Sequence, residues 1–93
     1  MDKIFKALAD TNRRKILTLL KNSDMNVSSL VEKLDIGQPT VSSHLAILRK
    51  ANLVEAAIKS KERIYKLKRD VFLSFVKQLD SFMADEIIIR RNI

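Results

Sequence analysis

Ninety-three residues, 46% hydrophobic and 31% charged, make one globular domain with a single modest core. The absence of cysteine excludes disulfides, thiolate metal ligands and thiol redox switching, and no run approaches the length of a membrane span. A formal net charge of +7 favours an anionic partner, either nucleic acid or an acidic lipid surface.

The start Met1-Asp2-Lys3 lacks a signal peptide's apolar stretch, so the cytoplasm is the expected compartment. Residues 3–9 are predicted as a short helix, with Asp2 as a candidate N-cap and Ile4, Phe5 and Leu8 apolar. Asp10-Thr11-Asn12 is a second cap cluster, opening a helix from Arg13 to Lys21 with Ile16, Leu17, Leu19 and Leu20 inward. Arg13, Arg14 and Lys15 sit in its first turn, where the helix dipole disfavours cations slightly; phosphate contact and tolerated surface charge are both open readings. After a polar connection, Asn26 is expected to cap a helix from Val27 to Asp35, with Val27, Leu30, Val31 and Leu34 inward. Ile36-Gly37-Gln38 is a short turn carrying the chain's one glycine, expected to supply a positive φ at the helix end. Pro39 starts the next helix at once, and Ala51-Asn52 ends it after Lys50. Two helices joined by so tight a turn make a helix-turn-helix over residues 27–50.

The second helix of that pair has two unlike sides. At about 100° per residue, Val41, His44, Leu45, Ile47 and Leu48 gather on one side. Pro39, Ser42, Ser43, Ala46 and Arg49 gather on the other, a small and neutral face ending in a cation. An ordinary solvated face carries Glu and Lys instead. Short Ser, Thr and Gln side chains let a helix sink into the DNA major groove and hydrogen-bond there; the plainer alternative is a Ser-rich surface helix.

Leu53 to Ile58 and Arg63 to Leu67 read as strands, with Lys59-Ser60-Lys61-Glu62 as a hairpin tip. From Arg49 to Arg69 eight cations stand against Glu55 and Glu62, so this segment holds most of the positive excess. A basic run is commonly a solvated face; its position directly after the candidate reading helix favours nucleic acid. Asp70 is expected to cap a long helix reaching about Ile88, with Val71, Phe72, Phe75, Val76, Leu79, Phe82, Met83 and Ile87 apolar. That is more apolar surface than one small core can cover, and Ile4, Phe5 and Leu8 have the same surplus. The economical solution is a two-fold homodimer joined through the first and last helices, at Ile4, Phe5, Leu8, Phe72, Phe75, Val76, Leu79, Phe82 and Met83. The alternative is that these helices pack on each other within one chain.

Taken together, Phe5 to Leu17, Gln38-Pro39-Thr40-Val41-Ser42-Ser43-His44-Leu45, Leu53-Val54-Glu55 and Ile64-Tyr65-Lys66-Leu67 resemble the ArsR/SmtB family of winged-helix transcriptional regulators, in its autorepressor branch without metal ligands. The resemblance implies a mainly α fold with a small β-hairpin, in the order α-α-α-α-β-β-α, over a single domain 1–93. Its parts are N-terminal helices over 3–21, the helix-turn-helix over 27–50, a wing over 53–67 and a dimerisation helix over 70–89. It implies a homodimeric repressor on double-stranded operator DNA, an imperfect inverted repeat. Gln38, Ser42 and Ser43 would face bases or nearby phosphates, and the hairpin would lie along the backbone. Metal-sensing relatives use cysteines, or paired Asp/His and His/Glu ligands; with no Cys and only His44, no such site can be assembled, and no cofactor is expected. Many relatives place His where Ser43 stands, and a Gly where Ser60 stands.

Each candidate carries a plainer alternative. Gln38 can read a base edge, or merely cap the helix. Thr40 lies nearer the core edge and reaches phosphate at most. His44 shares a face with Val41 and Leu48 and is expected to be a packed histidine with a local hydrogen bond. Arg49 and Lys50 are favoured at a helix C-terminus in any case. Lys59, Lys61 and Arg63 on a projecting hairpin have little structural need and are better phosphate candidates, although Arg63 can instead pair with Glu62 across the tip. Nothing assembles into a catalytic triad or a metal-activated water, so an enzyme is not expected. Two competing readings are a protein–protein adaptor using the apolar tail Ile87 to Ile93, and a basic protein on a membrane surface without stable insertion.

Overall fold

Asp10 and Asn26 begin the two helices around which the fold is built. The Asp10 carboxylate accepts the backbone N–H of Arg13 at 3.1 Å, and the Asn26 side chain accepts that of Ser29 at 2.8 Å. The computed structural model describes the backbone of residues 1–91 and the side chains of residues 1–84. Its elements are α1 (Asp2–Leu8), α2 (Thr11–Asn22), α3 (Val27–Leu34), α4 (Gln38–Lys50), β1 (Val54–Lys59), β2 (Glu62–Leu67) and α5 (Arg69–Arg91). Of the apolar tail proposed as an adaptor surface, the side chains of Ile87 to Ile93 lie outside the described residues, as does Ile87 as an inward position of the last helix.

Ile16 and Leu20 from α2, Leu30 from α3, and Val41, Leu45 and Leu48 from α4 are almost fully buried, together with Leu53. Ala7, Val54, Tyr65 and Leu67 close the same core. β1 and β2 form an antiparallel hairpin in which Val54 faces Leu67 and Lys59 faces Glu62. Met25 adds one residue to the sheet beside β2, exchanging two backbone hydrogen bonds with Tyr65 at 3.1 and 2.8 Å. The hairpin is thereby fastened to the start of the helix-turn-helix.

Several boundaries differ from the sequence expectations, each for a local reason. Asp2 lies inside α1 and Met1 precedes the helix, so Asp2 acts on the helix dipole and makes no cap hydrogen bond. Thr11 and Asn12 are already helical, because Asp10 alone is the cap. The positive φ between α3 and α4 falls on Asp35 (54°), while Gly37 has φ −65° and precedes α4. Asp tolerates the left-handed region better than most residues, so the turn does not need its glycine there. Asp70 is the second residue of α5. The tip shortens to Ser60-Lys61, both at positive φ (50° and 65°), as a two-residue turn between strongly twisted strands requires.

The end of α4 is a complete left-handed cap. Asn52 adopts φ 61°, its N–H reaches Arg49 O at 2.9 Å, and Leu53 N–H reaches Leu48 O at 3.0 Å. Leu53 and Leu48 are both fully buried, which supplies the apolar contact that accompanies this motif. The chain therefore leaves α4 at a defined angle and enters β1 at once. No helix among the described residues is long and apolar enough to cross a membrane.

Candidate nucleic-acid interface

α4 presents its two faces as the residue pattern implies, with one exception. Val41, Leu45 and Leu48 anchor it in the core, and His44 is half-buried. Gln38, Pro39, Thr40, Ser42, Ser43, Ala46, Arg49 and Lys50 are all exposed. The exception is Ile47, assigned to the inner face from the sequence but 39% exposed. It lies on the edge of the apolar arc, at the open margin between α4 and Lys3 and Lys6 of α1. Thr40 is likewise open to solvent. Lys59, Lys61 and Arg63 project from the exposed end of the hairpin. Glu62 does not pair with Arg63; its carboxylate accepts a hydrogen bond from the Asn26 side chain. That contact leaves Arg63 without a described carboxylate partner.

α4 is held in place by a polar joint. Arg13 Nε donates to Ala7 O at 2.8 Å, and Arg13 Nη2 donates to Lys6 O at 3.0 Å. The third arm of the same guanidinium, Nη1, lies 3.3 Å from His44 Nδ1. Arg14 Nη1 donates to Leu8 O at 2.6 Å. Two arginines that raised the question of phosphate contact are thus occupied by the last carbonyls of α1, of which Lys6 O also accepts the N–H of Ala9 at 3.2 Å. An arginine donor at Nδ1 requires that nitrogen to accept, so the ring's hydrogen sits on Nε2. Nε2 faces the Asp10 carboxylate at 3.8 Å. The backbone N–H of Arg13 holds the Asp10 carboxyl below its ordinary value of 3.8; desolvation opposes this, and the nearby Arg13 guanidinium adds a smaller lowering effect. His44 is therefore a packed joint between α4 and the α1–α2 corner. Among the described residues no group of three His, Cys, Asp or Glu is positioned to hold a metal.

This joint predicts the outcome of a conservative change. Arg13→Lys keeps the charge but offers one point donor where three directions are needed. Arg13→Lys and Arg13→Ala are expected to lose stability alike, by about 0.5–1.5 kcal/mol, from the lost hydrogen bonds to Ala7 O and His44. Urea denaturation followed by far-UV circular dichroism measures it; full rescue by Lys would show that charge alone matters.

The apolar positions assigned to a dimer seam divide into two groups. Phe75 is buried within the chain, its ring edge-on to Phe5 with centroids 5.4 Å apart and planes at 75°. Ile4, Leu8, Phe72 and Leu79 are half-buried. Val76 (56%), Phe82 (72%), Met83 (47%) and Phe5 (49%) are exposed. The first and last helices thus touch within one chain at Phe5 and Phe75 and still leave an apolar surface uncovered. Leu73, 63% exposed, belongs to that surface and was not among the sequence-derived positions. Its i, i+3 spacing to Val76 was the signal for it.

Comparison with known proteins follows the same outline. The sequence model of the family described as bacterial regulatory protein, arsR family, matches residues 10–56. The transcriptional repressor SdpR of Bacillus subtilis is 35% identical over 83 residues, covering 89% of this chain and 92% of that protein. An ArsR-like transcriptional regulator from Rhodococcus superposes with a TM-score of 0.91 at 27% identity, over 99% of this chain and 87% of that one. The homodimeric winged helix-turn-helix DNA-binding domain of Mb0332 from Mycobacterium bovis gives 0.73 at 30% identity, over 94% of this chain and 80% of that one.

Proposed function

The chain belongs to the arsR family of bacterial regulatory proteins, and on that footing we propose that it is a homodimeric repressor that binds an imperfect inverted repeat in double-stranded DNA. The observation that carries this reading is the exposed side of α4, where Gln38, Ser42 and Ser43 stand clear of the core on a helix anchored by three buried residues. Gln38 and the two serines are assigned to base edges in the major groove. Thr40, Arg49, Lys59, Lys61 and Arg63 are assigned to phosphates, which position the protein without reading sequence.

The second copy joins through α1 and α5. Phe5, Val76, Phe82 and Met83 form the centre of that seam, Ile4, Leu8, Phe72 and Leu79 its margin, and Phe75 backs Phe5 from within the chain. The named homodimer among the structural relatives supports this arrangement. In such a dimer the reading helices enter major grooves about 34–36 Å apart. The protein works in the cytoplasm, where its DNA is, and needs no metal. The domain divides into the N-terminal helices over 3–21, the reading unit over 27–50, the wing over 53–67 and the dimerisation helix over 70–89.

The test begins with a duplex selected from a random pool by the wild-type protein. Lys61→Ala is expected to lower the slope of log affinity against log salt by about 0.9 on selected and random duplexes alike. Gln38→Ala is expected to cost about 1–3 kcal/mol on the selected duplex only. Equal loss of discrimination in the two variants would contradict the assignment.

A further inference from the structure

We propose that α1 is part of the DNA footprint, with Lys3 and Lys6 holding the phosphate backbone that runs along the Ser43–Ile47 side of α4. The inference rests on the DNA-binding reading above and extends it to a helix otherwise assigned to the dimer seam. α1 and α4 meet at a shallow concavity of about 160 Å³ lined by Lys3, Lys6, Ile47, Lys50 and Ala51. All three lysines are exposed, and none has a carboxylate within 4.0 Å among the described residues. The wall of the concavity is apolar, built from the aliphatic stems of the lysines with Ile47 and Ala51, so the ammonium groups lie outside it in solvent. Three exposed cations without carboxylate partners beside the reading helix favour an anion there. The nearest acid in sequence, Asp2, is turned a further step around α1 and does not line the concavity.

Helical geometry explains why the cations gather there. Ala7 is the buried side of α1; at 100° per residue Lys3 and Lys6 fall to one side of it and Phe5 to the other. The helix therefore turns its lysines toward α4 and its aromatic ring toward Phe75. Around α4, Gln38, Ser42 and Arg49 occupy one flank, and Ser43 and Ile47 occupy the opposite one, next to α1. A helix lying in the major groove, about 12 Å wide, has a phosphate backbone on each side. Lys3, Lys6 and Lys50 stand where the backbone on the Ser43–Ile47 flank would pass. Ile47, exposed at the same edge, would lie against sugar and base carbons at a position where a charged residue would compete with the lysines.

The experiment uses the full chain with Lys3→Gln and Lys6→Gln together, measured by fluorescence anisotropy on the selected duplex and on a random one. Between about 50 and 200 mM salt the slope is expected to be shallower than wild type by about 1.8, so that the loss of affinity over that range is roughly twelve-fold smaller. The change should be equal on both duplexes, and sedimentation should return the wild-type oligomeric state. Lys3→Arg with Lys6→Arg should restore the slope. A wild-type slope in the glutamine variant, alongside the expected loss in Lys61→Ala, would overturn the inference and leave the DNA-binding reading intact. A wild-type protein that selects no duplex at all would overturn the reading beneath it.

Discussion

Phe82→Glu combined with Met83→Glu is expected to give a folded monomer that no longer distinguishes its operator from other DNA. Within one chain these side chains are 72% and 47% exposed, so new carboxylates there meet water and remove no core contact. In the proposed dimer they would instead be desolvated and brought close to their own copies across a two-fold axis. Unpaired charge in an apolar seam costs several kcal/mol, more than a rim contact can restore. A monomer keeps one reading helix and half of the site. Affinity should therefore fall toward the non-specific range, at least about 10³-fold or roughly 4 kcal/mol. Sedimentation velocity reads the mass, anisotropy the affinity, and far-UV circular dichroism the fold. A variant that stays dimeric would exclude this part of α5 from the seam. Phe5→Glu is a poorer probe, because it also removes the ring packed against Phe75.

The second large effect is thermal and comes from the inner face of the reading helix. Leu45 is 1% exposed and packs into the shared core of α2, α3 and the hairpin base. Leu45→Ala removes its apolar area and leaves a cavity, at a cost of about 2–5 kcal/mol. For a domain of this size, a loss of about 3 kcal/mol lowers Tm by roughly 12–24 °C. Ser42→Ala, less than one turn earlier on the outer face, should leave Tm within a few degrees and instead weaken operator discrimination. Calorimetry and anisotropy on the two variants separate anchoring from reading on one helix. If Ser42→Ala were the more destabilising, the orientation of α4 described here would be wrong.

Element order and the principal core were legible in the residues because their signals are local. Asp10 and Asn26 cap helices whether or not the rest of the chain is present, and Val41, Leu45 and Leu48 share a face by periodicity alone. The misread details depend on contacts between elements far apart in sequence. Ile47 looks like a core position until its place at the open margin between α1 and α4 is known. Arg13 and Arg14 stay open between phosphate contact and tolerated surface charge until the carbonyls of α1 are found beside them. Glycine was the expected bearer of positive φ, yet Asp35, Asn52, Ser60 and Lys61 carry it. Composition gives only a preference at such turns, and the geometry of the flanking elements decides. The exposed side of α4 was visible in outline, whereas the cations of α1 were not. Their significance comes from the packing of α1 against α4, which no local pattern encodes.

The hairpin tip illustrates a compromise between holding shape and holding charge. A non-glycine residue in the left-handed region costs roughly 1–2 kcal/mol, and both residues at the summit are of that kind. Asn-Gly at the same two positions would relax the bend and firm up the hairpin, but it would also delete the outermost ammonium. Keeping Lys61 there means accepting a weaker bend in return for a cation at the very summit of the hairpin.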